Sequence, residues 1–299
     1  MIASDLTQVL VTGVAAGSIY TLMGMGLFIT YLTTKALNFG QGDFLMIATF
    51  LSMSLAMAGV PVIAAVPAVF LVLAGLGMLL ERVAIRPLST AIAGSAGSLA
   101  WILTTLGFGM LLQNTATIVW GKSSFYSPPL FSSGEKKVVN LFGAGFYLEE
   151  LVVAGVALLV LAALYWFLFR TRAGKEIAAV AFDKPTAALL GINVRRTVIV
   201  SYVMMALLAA TSGVLAGPIT TVQAHMGILF ILKGFAVVSI GGFVNPVGIL
   251  IGGIGFGIME GVSNYIDSQF GDLYPFIIVL AFLIARPSGL FGEARADVR

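Results

Sequence analysis

Charge is scarce in this 299-residue chain. Asp, Glu, Lys and Arg make up 10% of it, against about a quarter in an ordinary soluble domain. A soluble fold with so few charges could not cover its own surface. Cysteine is absent, which excludes disulfides, thiolate metal sites and thiol nucleophiles. There is a single histidine, His225, so H-E-x-x-H is impossible. G-x-S-x-G and the phosphate-binding G-x-x-x-x-G-K-[ST] are also missing. No catalytic constellation and no metal site is expected. Any ATP hydrolysis linked to this chain must reside on another one.

Apolar sequence fills the space that charge leaves. Hydrophobic residues make up 59% of the chain, and the mean hydropathy is +1.05. A span needs roughly 20 apolar residues, and nine runs qualify as candidates: 6–34, 43–60, 62–80, 98–120, 148–169, 197–217, 226–243, 246–265 and 272–287. The pair 226–243 and 246–265 is glycine-rich and nearly continuous, so one or both read as broken or re-entrant. The expected fold is all-α, a polytopic transmembrane bundle of about eight or nine segments forming one domain over 1–299. The N-terminus lacks a basic region and an obvious small-residue cleavage site, so the first run reads as a retained span.

Eleven of the sixteen basic residues fall in three short stretches: Arg82 and Arg86; Arg170, Arg172, Lys175, Lys184, Arg195 and Arg196; and Arg286, Arg295 and Arg299. Segment 121–147 holds only Lys122, Lys136 and Lys137. Positive loops face the cytoplasm. The three stretches and the C-terminus are therefore expected inside, and 121–147 outside. The net charge of +3 is scattered over loops, so nucleic acid is not an expected partner. Trp120, Tyr147, Tyr165 and Trp166 sit where interfacial anchors belong. The pairs Gly13/Gly17, Gly213/Gly217, Gly248/Gly252, Gly253/Gly257 and Gly257/Gly261 have the spacing that lets helices approach closely in lipid.

Polar interruptions are the candidates for function. The stretch 37–43 places Asn38, Gln41 and Asp43 among glycines between apolar runs. Irregular backbone at membrane depth is tolerated where protein or a water-filled cavity satisfies it, and broken helices build solute sites. The alternative is a short interfacial turn with Asp43 favourably near a helix N-terminus. A second interruption, 239–248, contains Asn245 and reads as a loose counterpart of the first. Lys233 and Glu260 lie within apolar runs. A charge at the bilayer centre costs at least ~2.5–3.5 kcal/mol, so the two read as a structural ion pair or as part of a pathway. His225, beside Gln223 at a span end, reads as a solvated interfacial residue. Loop 170–196 reads as short helices: Asp183 as N-cap, Pro185 in the first turn, Gly191 as the stop. Ala187, Ala188, Leu189 and Leu190 give it an apolar patch suited to docking on a partner, or to packing on the chain's own helix ends.

These segments resemble the LivH-like permeases, subunits of bacterial ABC importers of the branched-chain amino acid type. The resemblance rests on A-L-N-F-G-Q-G-D-F-L-M at 36–46, G-K-E-I-A-A-V-A-F-D at 174–183, A-A-L-L-G-I-N at 187–193 and S-I-G-G-F-V-N-P-V-G-I-L-I-G-G at 239–253. It implies a permease that is not itself an enzyme and carries no cofactor, in the bacterial inner membrane. A homologous second permease would share the translocation pathway. Two cytoplasmic ATPase subunits, carrying ATP and Mg, would dock on 170–196 as the coupling loop. A periplasmic binding protein would deliver the solute. On this reading Asn38, Gln41, Asp43, Asn245, Lys233 and Glu260 belong to the pathway. Asp183, Ala187, Ala188, Leu189, Leu190 and Gly191 belong to the ATPase dock. The chain has Ala178 where relatives often carry Arg. Members of the group handle branched-chain amino acids, urea, short amides, and aromatic or dicarboxylic acids. The competing readings are a stand-alone secondary transporter or channel, and a membrane-embedded enzyme.

Overall fold

The computed structural model describes residues 2–91, 96–128, 138–141, 144–243 and 245–291. Lys136, Lys137, Val244, Arg295 and Arg299 lie outside the described residues. In chain order the helices are α1 (Ile2–Thr34), α2 (Gln41–Met57), α3 (Val62–Leu80), α4 (Arg86–Ala91), α5 (Ala96–Trp120), α6 (Leu148–Arg170), α7 (Arg172–Phe182), α8 (Lys184–Leu189), α9 (Val194–Ala216), α10 (Met226–Gly241), α11 (Pro246–Ile266) and α12 (Leu273–Ala285). A π-helical turn at Glu81–Ile85 joins α3 to α4. The strands are β1 (Phe125–Tyr126), β2 (Val138–Leu141), β3 (Ala144–Tyr147) and β4 (Thr221–Val222). They form two antiparallel pairs, β1 with β4 and β2 with β3.

Each of the nine apolar runs falls on a helix, and the polytopic helical bundle is as expected. The lengths divide them, however. Among the described residues six helices are long and apolar enough to cross a membrane, while α2, α10 and α12 are shorter, with 17, 16 and 13 residues. Six of these nine helices thus have the length of a full span, and α2, α10 and α12 fall short of it.

Helix α1 is the axis of the bundle and packs against α6, α9, α10 and α11. Its closest seam is made of glycine. Gly13 and Gly17 meet Gly253 and Gly257 of α11, where an added Cβ on any of the four would collide with the opposite helix. Two of the G-x-x-x-G pairs thus interlock with each other within the chain. Hydroxyls in these helices turn back on their own carbonyls, as Ser18 does on Val14 (2.7 Å) and Thr21 on Gly17 (2.8 Å), so they need no water. Helices α3, α5 and α6 bury only about a fifth of their spanning windows. Their outward faces are apolar, including Leu71, Met110 and Leu159, as lipid or another membrane protein requires.

The two ends of the bundle differ in charge. At one end the close of α1 meets the loop between α6 and α9, with Tyr31 and Lys35 beside Lys175 and Phe182. Arg86, Lys184 and Arg195 gather there too, and the Leu290 amide after α12 donates to the Ile240 carbonyl at 2.7 Å. At the other end the Trp120 indole donates to Ser54 (2.7 Å), and Thr12 donates to Glu150 (3.2 Å). The basic stretches within the described residues therefore lie together, and the start of α1 lies opposite them. Asp272 and the Lys233 ammonium tie α12 to α10.

The glycine seam yields a direct test. Gly257→Val should destabilise the bundle by about 1–3 kcal/mol through overpacking, read as a lower unfolding temperature in detergent. Gly255→Val, on the same helix but facing open space, should leave that temperature nearly unchanged.

Candidate functional site

The first polar interruption is a true break. Helix α1 ends at Thr34; Lys35 follows as the one non-glycine residue with positive φ (57°) among the described residues, and the chain runs without helical structure until Gln41. Asn38 shapes the break: its Oδ1 accepts from the Gly40 amide at 3.1 Å, a side-chain turn that stands in for lost helical bonding. Gln41 fastens it to α1 by donating from Nε2 to the Met23 carbonyl at 2.8 Å. That carbonyl lies in the middle of the α1 span. Gly26 makes room, since a Cβ there would strike the Gln41 amide. Asn38 and Gln41 are fully buried. They hold the break and face no open space in this conformation.

A second deep break faces the first, and its position differs from the one read in the sequence. The stretch 239–248 lies at the basic end, where Gly242 takes φ 83° and Asn245 caps α11 by accepting from the Val247 amide at 2.9 Å. It is a tight turn between α10 and α11, apart from Asn38, Gln41 and Asp43. The counterpart is instead 217–225. Here the chain leaves α9, pairs Thr221 and Val222 with β1, and turns inward to start α10. Gly227 then packs directly on Gly42, backbone against backbone. The N-termini of two short helices, α2 and α10, thus meet inside the bundle.

Asp43 occupies that crossing. Its Oδ1 accepts from Gln113 Nε2 of α5 at 2.8 Å. Its other oxygen is packed so closely on Gly109 that no Cβ would fit, and a Cβ on Gly227 would stand 2.8 Å from Oδ1. Gly109 and Gln113 precede Trp120 by eleven and seven residues, roughly 10–16 Å of helix. That depth approaches the midplane of a hydrocarbon core about 30 Å thick. Two helix N-termini present positive partial charge here, and a carboxylate answers it. Asp43 is 6% exposed, Gln113 is half-buried, and Gln223 and His225 are exposed beside the crossing. His225, the residue before α10, is exposed as a solvated residue would be.

Lys233 and Glu260 form a separate cluster. The Lys233 ammonium is 3.0 Å from Glu260 Oε1 and 3.0 Å from Asp272 Oδ1. Tyr20 donates to the same Glu260 oxygen at 2.8 Å, and its ring lies 5.0 Å under the ammonium. Phe230 and Phe256 flank the Tyr20 ring. The pair is buried and welds α1, α10, α11 and the start of α12. Asp272, which sequence reading missed, completes it from a loop where nothing in the local pattern marks it out.

The loop between α6 and α9 is built as its residues suggest. Thr171 caps α7 by accepting from the Gly174 amide (3.1 Å). Asp183 caps α8 by accepting from the Thr186 amide (2.9 Å), and Gly191 ends it at φ 84°. That hydrogen bonding holds the Asp183 carboxyl below its usual range. The cap is thus ionised at neutral pH, and it is lost only as pH falls through the lowered value. Ala187 points inward and is buried, while Phe182, Leu189 and Leu190 are 94%, 88% and 75% exposed. Ala188 is also exposed. The patch is therefore Phe182, Ala188, Leu189 and Leu190, without Ala187.

Comparison with known proteins places the chain in a family. The family described as "Branched-chain amino acid transport system / permease component" matches residues 9–285. The high-affinity branched-chain amino acid transport system permease protein LivH of Escherichia coli K12 is 28% identical over 97% of this chain and 96% of its own. Its counterpart BraD of Pseudomonas aeruginosa is 28% identical over 97% of each chain. Among solved structures, PsaBC from Streptococcus pneumoniae in complex with Fab superposes with a TM-score of 0.51 at 14% identity, covering 95% of both chains. That last likeness is one of fold.

The buried ion pair yields the next test. Lys233→Met strands the Glu260 carboxylate and should cost about 3–5 kcal/mol of stability. Lys233→Met combined with Glu260→Leu should recover most of that loss in detergent thermal unfolding. If the double variant also keeps wild-type uptake, the cluster is structural and has no part in the pathway.

Proposed function

This chain belongs to the branched-chain amino acid transport system permease family, and on that premise we propose that it forms half of the translocation pathway of an ATP-driven importer. The solute we propose is a branched-chain amino acid or a related small polar or organic-acid molecule, as the names of LivH and BraD suggest. The crossing at Asp43 suits such a solute. Helix N-termini favour a carboxylate, and Asp43 favours an ammonium. Asp43 and Gln113 are the residues we place on the pathway. Asn38 and Gln41 support them from behind, and Asn245 caps the helix after it.

The observation that carries the reading is the structured loop 172–191 with its exposed Phe182, Leu189 and Leu190. Large apolar side chains beyond the ends of spanning helices suit a protein groove. A stand-alone transporter has no use for them. We assign them, with Asp183, Ala188 and Gly191, to the dock for a cytoplasmic ATPase. ATP and Mg then sit on two such partner subunits and no cofactor on this chain. The basic end is cytoplasmic in this reading, with the C-terminus inside and the start of α1 outside. A periplasmic binding protein delivers solute to the end that carries segment 121–147. The second permease, this chain or a homologue, covers the outward face of α5, where Asn114 and Thr115 are exposed at membrane depth and unsuited to lipid. The assembly lies in the bacterial inner membrane.

Two variants test the reading. Leu189→Asp should abolish co-purification of the ATPase subunits while membrane insertion persists; undiminished co-purification would remove the dock. Asp43→Asn keeps the shape and the Gln113 contact but removes the charge. It should cut ATP-dependent uptake into proteoliposomes at least tenfold with the complex intact. Wild-type uptake would reduce Asp43 to a structural plug.

A further inference from the structure

Two apolar cavities follow one another along α6 toward the basic end of the bundle. The deeper, of about 260 Å³, lies between α6, α1 and the start of α11. The wider, of about 660 Å³, lies between the ends of α1 and α6, helix α7 and the α10–α11 turn. Pro246 lines both, and the rings of Tyr165 and Phe169, one in each, sit 4.5 Å apart. Leu158, Leu161, Tyr165 and Phe169 recur at helical spacing, so one face of α6 walls the whole trench. Met25, Phe28, Tyr31 and Lys35 do the same on α1. From Leu158 to Phe169 the trench runs roughly 16 Å, about the depth of one leaflet in a hydrocarbon core about 30 Å thick. At its mouth Lys35 and Lys175 are exposed. Lys35 lies 5.7 Å over the Tyr31 ring. No carboxylate is among the residues lining the mouth, and among the described residues neither lysine makes an ion pair.

We propose that this trench binds an anionic phospholipid of the leaflet at the basic end, with its phosphate at Lys35 and Lys175 and an acyl chain along α6. Charge and shape point to the same occupant. A phosphodiester supplies the negative charge that the two lysines favour, and basic pockets between helices suit such headgroups. An acyl chain covers the apolar wall over the length of one leaflet. Inorganic phosphate would leave that wall empty, and a zwitterionic lipid brings no net charge to the lysines. The trench also opens sideways: Leu158, Tyr165 and Val247 are 42%, 49% and 41% exposed, so a lipid enters from the bilayer without crossing protein. Lys175 precedes Phe182 by two turns of α7, which holds the headgroup beside the segment assigned to the ATPase dock.

The complex purified in detergent with its partner subunits is titrated with phosphatidylglycerol or phosphatidylcholine, and bound lipid is counted by native mass spectrometry. Phosphatidylglycerol should bind roughly 25-fold more tightly, about fivefold for each lysine. Lys35→Gln/Lys175→Gln should remove that preference and leave phosphatidylcholine binding unchanged. Ala162→Trp, which fills the deeper part of the trench, should weaken both lipids about tenfold, the loss of roughly two buried methylenes. Lys122→Gln, beyond the opposite end of the bundle, should bind as wild type. Equal binding of the two lipids by the wild type, an undiminished preference in the double variant, or unaltered binding by Ala162→Trp overturns the proposal. So does inorganic phosphate that displaces phosphatidylglycerol at low millimolar concentration, because the site is then one for a free anion. Phosphatidylglycerol that binds only after the partner subunits are stripped off overturns it as well, and gives the trench to the ATPase. If the double variant does not assemble, Lys175→Gln alone decides: about a fivefold loss for phosphatidylglycerol supports the lipid, and no loss excludes it.

Discussion

Interrupted backbone inside a membrane must be enclosed by protein, and the architecture follows from that requirement. Amide and carbonyl groups freed by a broken helix find no water in hydrocarbon. Here the chain breaks twice at depth, at 36–40 and at 217–225, and each break is wrapped. The first is held by Asn38 and Gln41 against α1. The second is anchored by the pairing of β4 with β1. The helices that start after the breaks meet through Gly42 and Gly227, and side chains larger than hydrogen would separate them. The closeness of α1 and α11 along their glycine seam completes the enclosure. Small residues at the centre are therefore a condition of having a polar site there at all.

Charge is used in two distinct ways within the spanning region. Lys233, Glu260 and Asp272 compensate one another at 3.0 Å contacts and are braced by Tyr20. Such a group resists rearrangement, since separating its members strands a buried ion. Asp43 has no basic side chain bonded to it among the described contacts. A neutral amide from Gln113 and the helix N-termini attend it instead. It can therefore answer a ligand's charge without first breaking an ion pair.

Much of this was legible from the residues. The nine apolar runs mark nine helices, and the basic stretches within the described residues share one end. Asp183, Pro185 and Gly191 delimit α8 as their chemistry dictates. Local signals of this kind survive folding because they depend on neighbours in sequence. The second deep break was misplaced at 239–248, because a Gly-Gly and an Asn-Pro look more disruptive than Thr220-Thr221-Val222-Gln223. Only the packing of Gly227 on Gly42 distinguishes the buried start of a helix from an ordinary turn. Gln113 escaped notice because a single amide in an apolar helix gains meaning from what lies opposite. Asp272 did so for the same reason.

The small β1–β4 ribbon has a mechanical consequence. Phe125 and Tyr126, just past the end of α5, are stitched to Val222 and Thr221, five and six positions before Gly227. The ribbon works as a tether between the surface and the crossing. A pull on the segment after Trp120 is delivered through β4 and the three-residue turn at 223–225 to the first turn of α10. That turn is closed by the Met226 amide on the Gln223 carbonyl at 3.1 Å, so it has little slack and passes displacement on. The outer rim and the deep polar site then move as one linkage, and a force applied at the surface has a short, stiff route to the bundle's interior.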